Sequence, residues 1–258
     1  MRRRWWVAIA LVSAAIVAIP VAFVVSNAVG AVTFENGRTI FWRDYPGVAG
    51  LDPQDVIDGP TAEQALLDGE AMVADMREAI TEEFGLAWVG DPNEERFEPF
   101  FPTENRFGGR SMLTTINAPT SQSTTVPTSW TDKQRVIQLI GEVAAGHGFG
   151  KVVLDHERDY VTEEDRARDF GGSSPATQVF VSGIVEGPDG QWVFFGLQDP
   201  SLDVDGRFED RLSGGDWEPA SVTLSYGANA LLPAASHTEF QRRLLAFQGL
   251  TQPNPLED

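Results

Sequence analysis

The chain has 258 residues, 42% of them apolar and 10% aromatic, a composition that supports a packed core and excludes wholesale disorder. Its 38 acidic against 19 basic residues give a formal net charge of −19. Such a surface repels phosphate backbones and anionic headgroups, so nucleic acid is excluded as the expected partner. Cysteine is absent, which removes disulfides and thiolate-held zinc. Lysine occurs only as Lys133 and Lys151 while arginine is common, a bias that fits a high-GC genome.

The first segment is a short basic run, Arg2 to Arg4, followed by Trp5 to Val25, in which Ser13 is the only polar side chain. A helix over that run reaches roughly 31 Å, about the hydrocarbon thickness of a bilayer. The arginines predict an inside N-terminus, and Trp5 and Trp6 stand where interfacial aromatics belong. We therefore expect a cytoplasmic segment 1–4 and a transmembrane signal-anchor over 5–31. A cleaved signal peptide ending near Val29-Gly30-Ala31 is the alternative; its apolar core usually spans about 7–15 residues, shorter than this one. Both readings place the chain beyond Glu35 outside the cytoplasm.

Residues 32–60 carry Pro46-Gly47, Asp52-Pro53 and Gly59-Pro60 and read as a stalk, with Phe41, Trp42 and Tyr45 available to pack on a domain or rest at the membrane surface. From 61 to 235 an extracytoplasmic domain is expected. Thr61-Ala-Glu-Gln64 reads as a capping box, and Leu66, Val73, Met76, Ile80 and Phe84 form a helical stripe that Gly85 can end. Leu86–Val89 and Arg110–Asn117 read as strands, and 90–109 as a long aromatic loop. Residues 118–130 form a Ser/Thr/Pro connector. A second helix, capped by Ser129 or Thr131, shows Val136, Ile137, Ile140, Val143 and Ala144 on one face and stops at Gly146-His-Gly148. Lys151–Leu154 is a short strand and 157–175 a surface loop. Gln178–Val181 and Gln191–Phe195 flank Gly187-Pro-Asp-Gly190, a hairpin signal in which Val179 and Val181 share a face with Trp192 and Phe194. Ser221–Tyr226 is the last strand, and 236–258 a tail with a short helix at 238–247. The order predicts an α+β fold: two helices packed on one face of a mostly antiparallel sheet, preceded by one N-terminal transmembrane helix.

This pattern resembles the LppA-like lipoproteins of actinobacterial envelopes. The matching stretches are the acidic helix leading into Leu86-Ala-Trp-Val89, the Arg110–Asn117 strand, Trp130 to Val143-Ala144 ending in Gly148-Phe-Gly150, the Gly187–Gly190 turn and the Leu224–Leu232 strand. Two features depart from the family: the lipid-modified N-terminal cysteine and the cysteine near each end of the domain are both missing. The resemblance implies a relative that is anchored differently and independent of disulfides. It carries over no activity.

Candidate chemistry is sparse. Asp155-His156-Glu157 offers metal or acid/base groups, but strand neighbours point to opposite faces, so a polar edge run is expected. His147 sits at a helix end, where cations are favoured. Asp199, Asp203, Asp205 and Gly206 evoke a calcium loop; aligned on Gly206, an EF-hand frame puts Ser201 first and Leu212 last, and both fail. Neither a Gly-x-Ser-x-Gly elbow nor a phosphate loop occurs. No metal, cofactor or catalytic residue is assigned. Phe97, Phe100, Phe101 and Phe107 form the candidate interaction patch, with core anchoring as the alternative. The expected function is a membrane-anchored envelope module that binds a protein or polymer. The alternative is a cell-envelope hydrolase using carboxylates in a loop-lined groove.

Overall fold

A computed structural model describes residues 30–34, 37–89, 98–208, 212 and 218–256. The expected anchor lies almost entirely outside these residues, as does Phe97. Among the described residues no helix is long and apolar enough to cross a membrane. The fold is α+β with a mostly antiparallel sheet. It divides into two compact units: Met1–Asp58, Pro102–Leu113 and Ala235–Asp258 form the first, and Gly59–Phe101 with Thr114–Ala234 the second.

The second unit carries the helices legible in the sequence. Helix α2 (Ala62–Phe84) starts where the Thr61 side chain accepts the Gln64 backbone N–H, and it ends at Gly85 in the left-handed region. Only half of the capping box forms, because the Gln64 amide turns to Asp68 instead. Helix α3 (Trp130–Gly146) is capped by Ser129 in the same way. Both helices bury their apolar stripes in one core with the sheet.

The sheet has β3 (Trp88–Val89), β4 (Phe100–Glu104), β5 (Arg110–Asn117), β6 (Ser121–Ser123), β7 (Val152–Leu154), β8 (Phe180–Glu186), β9 (Gln191–Gln198) and β10 (Ser221–Leu231). The expected last strand is its middle: β10 pairs with β9 along one edge and with β6 and then β5 along the other. Strands β4 and β5 each contribute residues to both units.

The hairpin register corrects one expectation. Val181 lies opposite Leu197 and Val185 opposite Val193, so Val193, Phe195 and Leu197 face the core. Phe194, expected on the same face as Val179 and Val181, is 37% exposed, whereas those two valines are buried. The strands run longer than the β-prone runs suggested, and the tight turn at Pro188–Gly190 sets their register. Trp192 packs over Gly227, where a Cβ would stand 2.2 Å from the indole.

Lys133, in the polar-looking first turn of α3, is buried and donates to Asp199 Oδ2 at 2.6 Å. Asp199 Oδ1 accepts from the Ser201 backbone and hydroxyl. The carboxylate therefore spends its lone pairs inside the protein, the condition under which a buried ion pair is tolerated.

Helix α2 lies against β10 at Gly69, where a Cβ would fall 2.3 Å from the fully buried Tyr226 ring. Helix propensity alone makes Gly69→Ala stabilising by about 1 kcal/mol. Overpacking against Tyr226 reverses the sign, and we expect a loss of about 1–3 kcal/mol in urea denaturation.

Candidate functional site

The described part of the first unit opens on a small hairpin, β1 (Ala31–Thr33) and β2 (Thr39–Phe41), and a single 3-10 turn at Trp42–Asp44. Helix α1 (Pro53–Asp58) follows; Asp52 precedes it and accepts from the Gln54 backbone N–H. The stretch expected as a stalk therefore contains regular elements and two buried aromatics, Trp42 and Tyr45. The expected tail contains helix α4 (His237–Leu244) and brings in Phe247.

Trp42, Tyr45, Phe107 and Phe247 pack as one aromatic cluster, with ring centroids 5.2 to 5.8 Å apart and tilted or edge-on contacts. This geometry suits the quadrupoles of the rings. One polar side chain ties the backbones of Trp42, Tyr45 and Phe107 together. Asn105 is fully buried, and its Nδ2 donates to the carbonyls of Arg43 at 2.9 Å and Tyr45 at 3.0 Å, with Trp42 at 3.3 Å. Its Oδ1 accepts from the N–H groups of Phe107 and Gly109. Gly109 abuts the Arg43 carbonyl so closely that a Cβ there would lie 1.8 Å from the oxygen.

Two hollows open from this cluster, and Leu245 and Phe247 line both. The first is a groove of about 410 Å³ between α1 and α4. Trp42, Tyr45 and Phe247 lie beneath it, and Ile57, Leu244 and Leu250 add aliphatic wall. Its polar lining is mainly amide: Gln54, Gln241, Gln248 and Gln252, with Asp52 as the one carboxylate. Gln252 reaches the Tyr45 hydroxyl at 3.3 Å. Burial, reinforced by Asp52, raises the Tyr45 pKa and keeps the phenol protonated. The Trp42 indole N–H is buried without an acceptor among the described residues. The second hollow, about 790 Å³, is lined by arginines.

Of the expected aromatic patch, Phe97 lies outside the described residues, and the other three have different surroundings. Phe107 joins the Trp42 cluster in the first unit. Phe100 packs against the main core of the second unit, and Phe101 is 43% exposed on β4. What sequence reasoning missed is the groove itself, whose walls come from α1 and from the presumed tail.

The Asp155-His156-Glu157 stretch also differs from its expectation. It forms a 3-10 turn rather than an edge strand, and His156 is buried, edge-on to Phe170. Asp155 accepts from Ser182 and Arg158, and Glu157 stays 4.0 Å from the imidazole. His147 contacts Asp75 at 2.9 Å, and His237 lies 3.3 Å from the Ile57 carbonyl oxygen. Among the described residues no three His, Asp or Glu side chains converge as a metal site. Asp203 instead caps the backbone N–H groups of Arg207 and Phe208. No protein-family model, curated protein or solved structure matches the chain.

Neither ring nitrogen of His156 has a hydrogen-bond partner among the described residues. Burial lowers its pKa from the ordinary 6.5; Arg166 adds to that, while Glu157 and Asp155 oppose it. Below 6.5 the unfolded chain binds the proton that the fold refuses. The contribution to stability is therefore complete above 6.5 and is lost as pH falls through the folded value. Urea midpoints measured from pH ~7.5 to ~5.5 should fall less steeply in His156→Phe than in wild type.

Proposed function

We propose that the chain is a membrane-anchored, extracytoplasmic binding module of the bacterial envelope, related to the LppA-like lipoproteins. In this reading a transmembrane helix over 5–31 precedes the domain, and α2 and α3 cover one face of the sheet. The groove between α1 and α4 takes an extended peptide segment of a protein partner. The observation that carries this is the groove's lining, aliphatic and aromatic at the base with glutamine amides around it. An aliphatic side chain of the peptide fills the base, and the amides satisfy its main-chain N–H and C=O groups. The volume suits one or two side chains. A glycosidase of the common two-carboxylate type needs a pair flanking the scissile bond, whereas the lining of this groove has Asp52 alone.

A photo-crosslinking residue in place of Leu245, which is 68% exposed, tests the reading in cells. We expect one discrete protein adduct, removed when protease is added to intact spheroplasts and lost in an Ile57→Arg background. The same probe at Val204, which is 89% exposed in the second unit, should give none. Identical adducts at both positions, or an adduct that survives Ile57→Arg, would contradict a peptide-binding groove. An adduct shielded from external protease would contradict the location.

A further inference from the structure

The second hollow reverses the charge of the chain around it. In a protein of net charge −19, its walls bring together Arg38, Arg43, Arg110, Arg242 and Arg243, with Asp44 as the only carboxylate among the lining residues. These arginines come from separate places: the turn between β1 and β2, the 3-10 turn, the start of β5 and the last turn of α4. Convergence of this kind is tertiary. The close approach of Gly109 to the Arg43 carbonyl brings the following residue, Arg110, beside Arg43.

Local pairing leaves much of this charge unspent. Arg43 stands over the Phe41 ring at 5.2 Å and reaches Asp44 only at 3.9 Å, with both side chains 67% exposed. Arg110 makes no ion pair among the described residues. Arg242 and Arg243 both bind Glu239, so two guanidiniums share one carboxylate. Complementing the C-terminal dipole of α4 explains those two residues, but not the three that arrive from elsewhere. Even without Arg38, the four guanidiniums of Arg43, Arg110, Arg242 and Arg243 outnumber the carboxylates of Asp44 and Glu239, and that local excess of positive charge favours an anion.

We propose that this hollow is an anion site for a phosphate-bearing ligand. Guanidinium forks bind phosphate oxygens bidentately, and Arg suits that task better than Lys. A carboxylate has two oxygens and satisfies one fork; a phosphate or diphosphate has enough for several. The hollow's volume of about 790 Å³ accommodates a diphosphate with its attached group. Phe41 and Leu245, 42% and 68% exposed, offer apolar contact beside the charge. The phosphate has two possible sources: an anionic lipid headgroup, since Arg38 follows the apolar run at Val25 by only thirteen residues, or a soluble phosphorylated compound. The overall acidity argues against anion binding only when the charge is averaged over the whole chain.

Calorimetric titration of the full chain in neutral detergent, with inorganic pyrophosphate as probe, tests the site. We expect saturable binding that weakens with salt, falls by about tenfold or more in Arg43→Gln/Arg110→Gln and is unchanged in Arg168→Gln, whose exposed guanidinium is paired with Asp165 and Asp169. Arg43 and Arg110 are exposed, so the double variant should keep the wild-type melting profile, and Arg110→Lys should restore only part of the affinity when placed in Arg43→Gln. Displacement of pyrophosphate by short-chain phosphatidylglycerol, but not by phosphatidylcholine, assigns the site to a lipid headgroup; equal failure of both lipids assigns it to a soluble phosphate. Absence of saturable binding, or equal binding by wild type and the folded double variant, overturns the proposal.

Discussion

The first unit depends on the side chain of Asn105. Its amide nitrogen holds three successive stretches of main chain at Trp42, Arg43 and Tyr45, and its oxygen holds the turn at Phe107 and Gly109. A buried amide that left these groups unpaired would cost about 1–3 kcal/mol for each one. Fully paired, it fixes the backbone of three of the four aromatic residues, Trp42, Tyr45 and Phe107, against which Phe247 packs. Of these rings Phe247 lines both hollows, as does the neighbouring Leu245. The candidate site therefore follows from one polar interaction between segments some sixty residues apart.

Electrostatics in this chain is a matter of placement more than of total. The acidic surplus is spread over helices and loops. Five arginines of the first unit gather at one concavity, while Lys133 in the second unit is buried on Asp199. Lysine is so rare here that its burial against a carboxylate stands out. The pair is held by short contacts on both sides, and Asp199 is thereby unavailable for the calcium loop that its spacing suggests.

Local signals in the sequence were largely read correctly. Thr61, Gly85 and Ser129 bound their helices because caps act on adjacent backbone, and Arg110–Asn117 forms the strand its alternation suggests. The signals that failed all require partners distant in sequence. The inward face of β9 depends on register, and register on a turn whose strands outlast their β-prone cores. His156 sits in a run of charged residues and is nonetheless buried. Residues 32–60 carry Gly, Pro and Asp at short intervals, so they read as a stalk; Trp42 and Tyr45 become a core only when Phe107 and Phe247 arrive from distant positions. Asn105, followed by Arg-Phe-Gly-Gly, has the composition of any turn residue, and no local pattern marks it as a buried hub. Among the described residues of the predicted patch, Phe107 alone joins the aromatic cluster.

Hydrogen exchange followed by mass spectrometry, comparing wild type with Asn105→Ala, bears most directly on this account. If Asn105 holds the first unit together, amides at 39–45, 105–112 and 244–252 should lose protection as a group. Those of β8, β9 and the β9-paired part of β10 should keep theirs. Unchanged protection in those three segments would show that the aromatic cluster stands without the asparagine and would contradict the account.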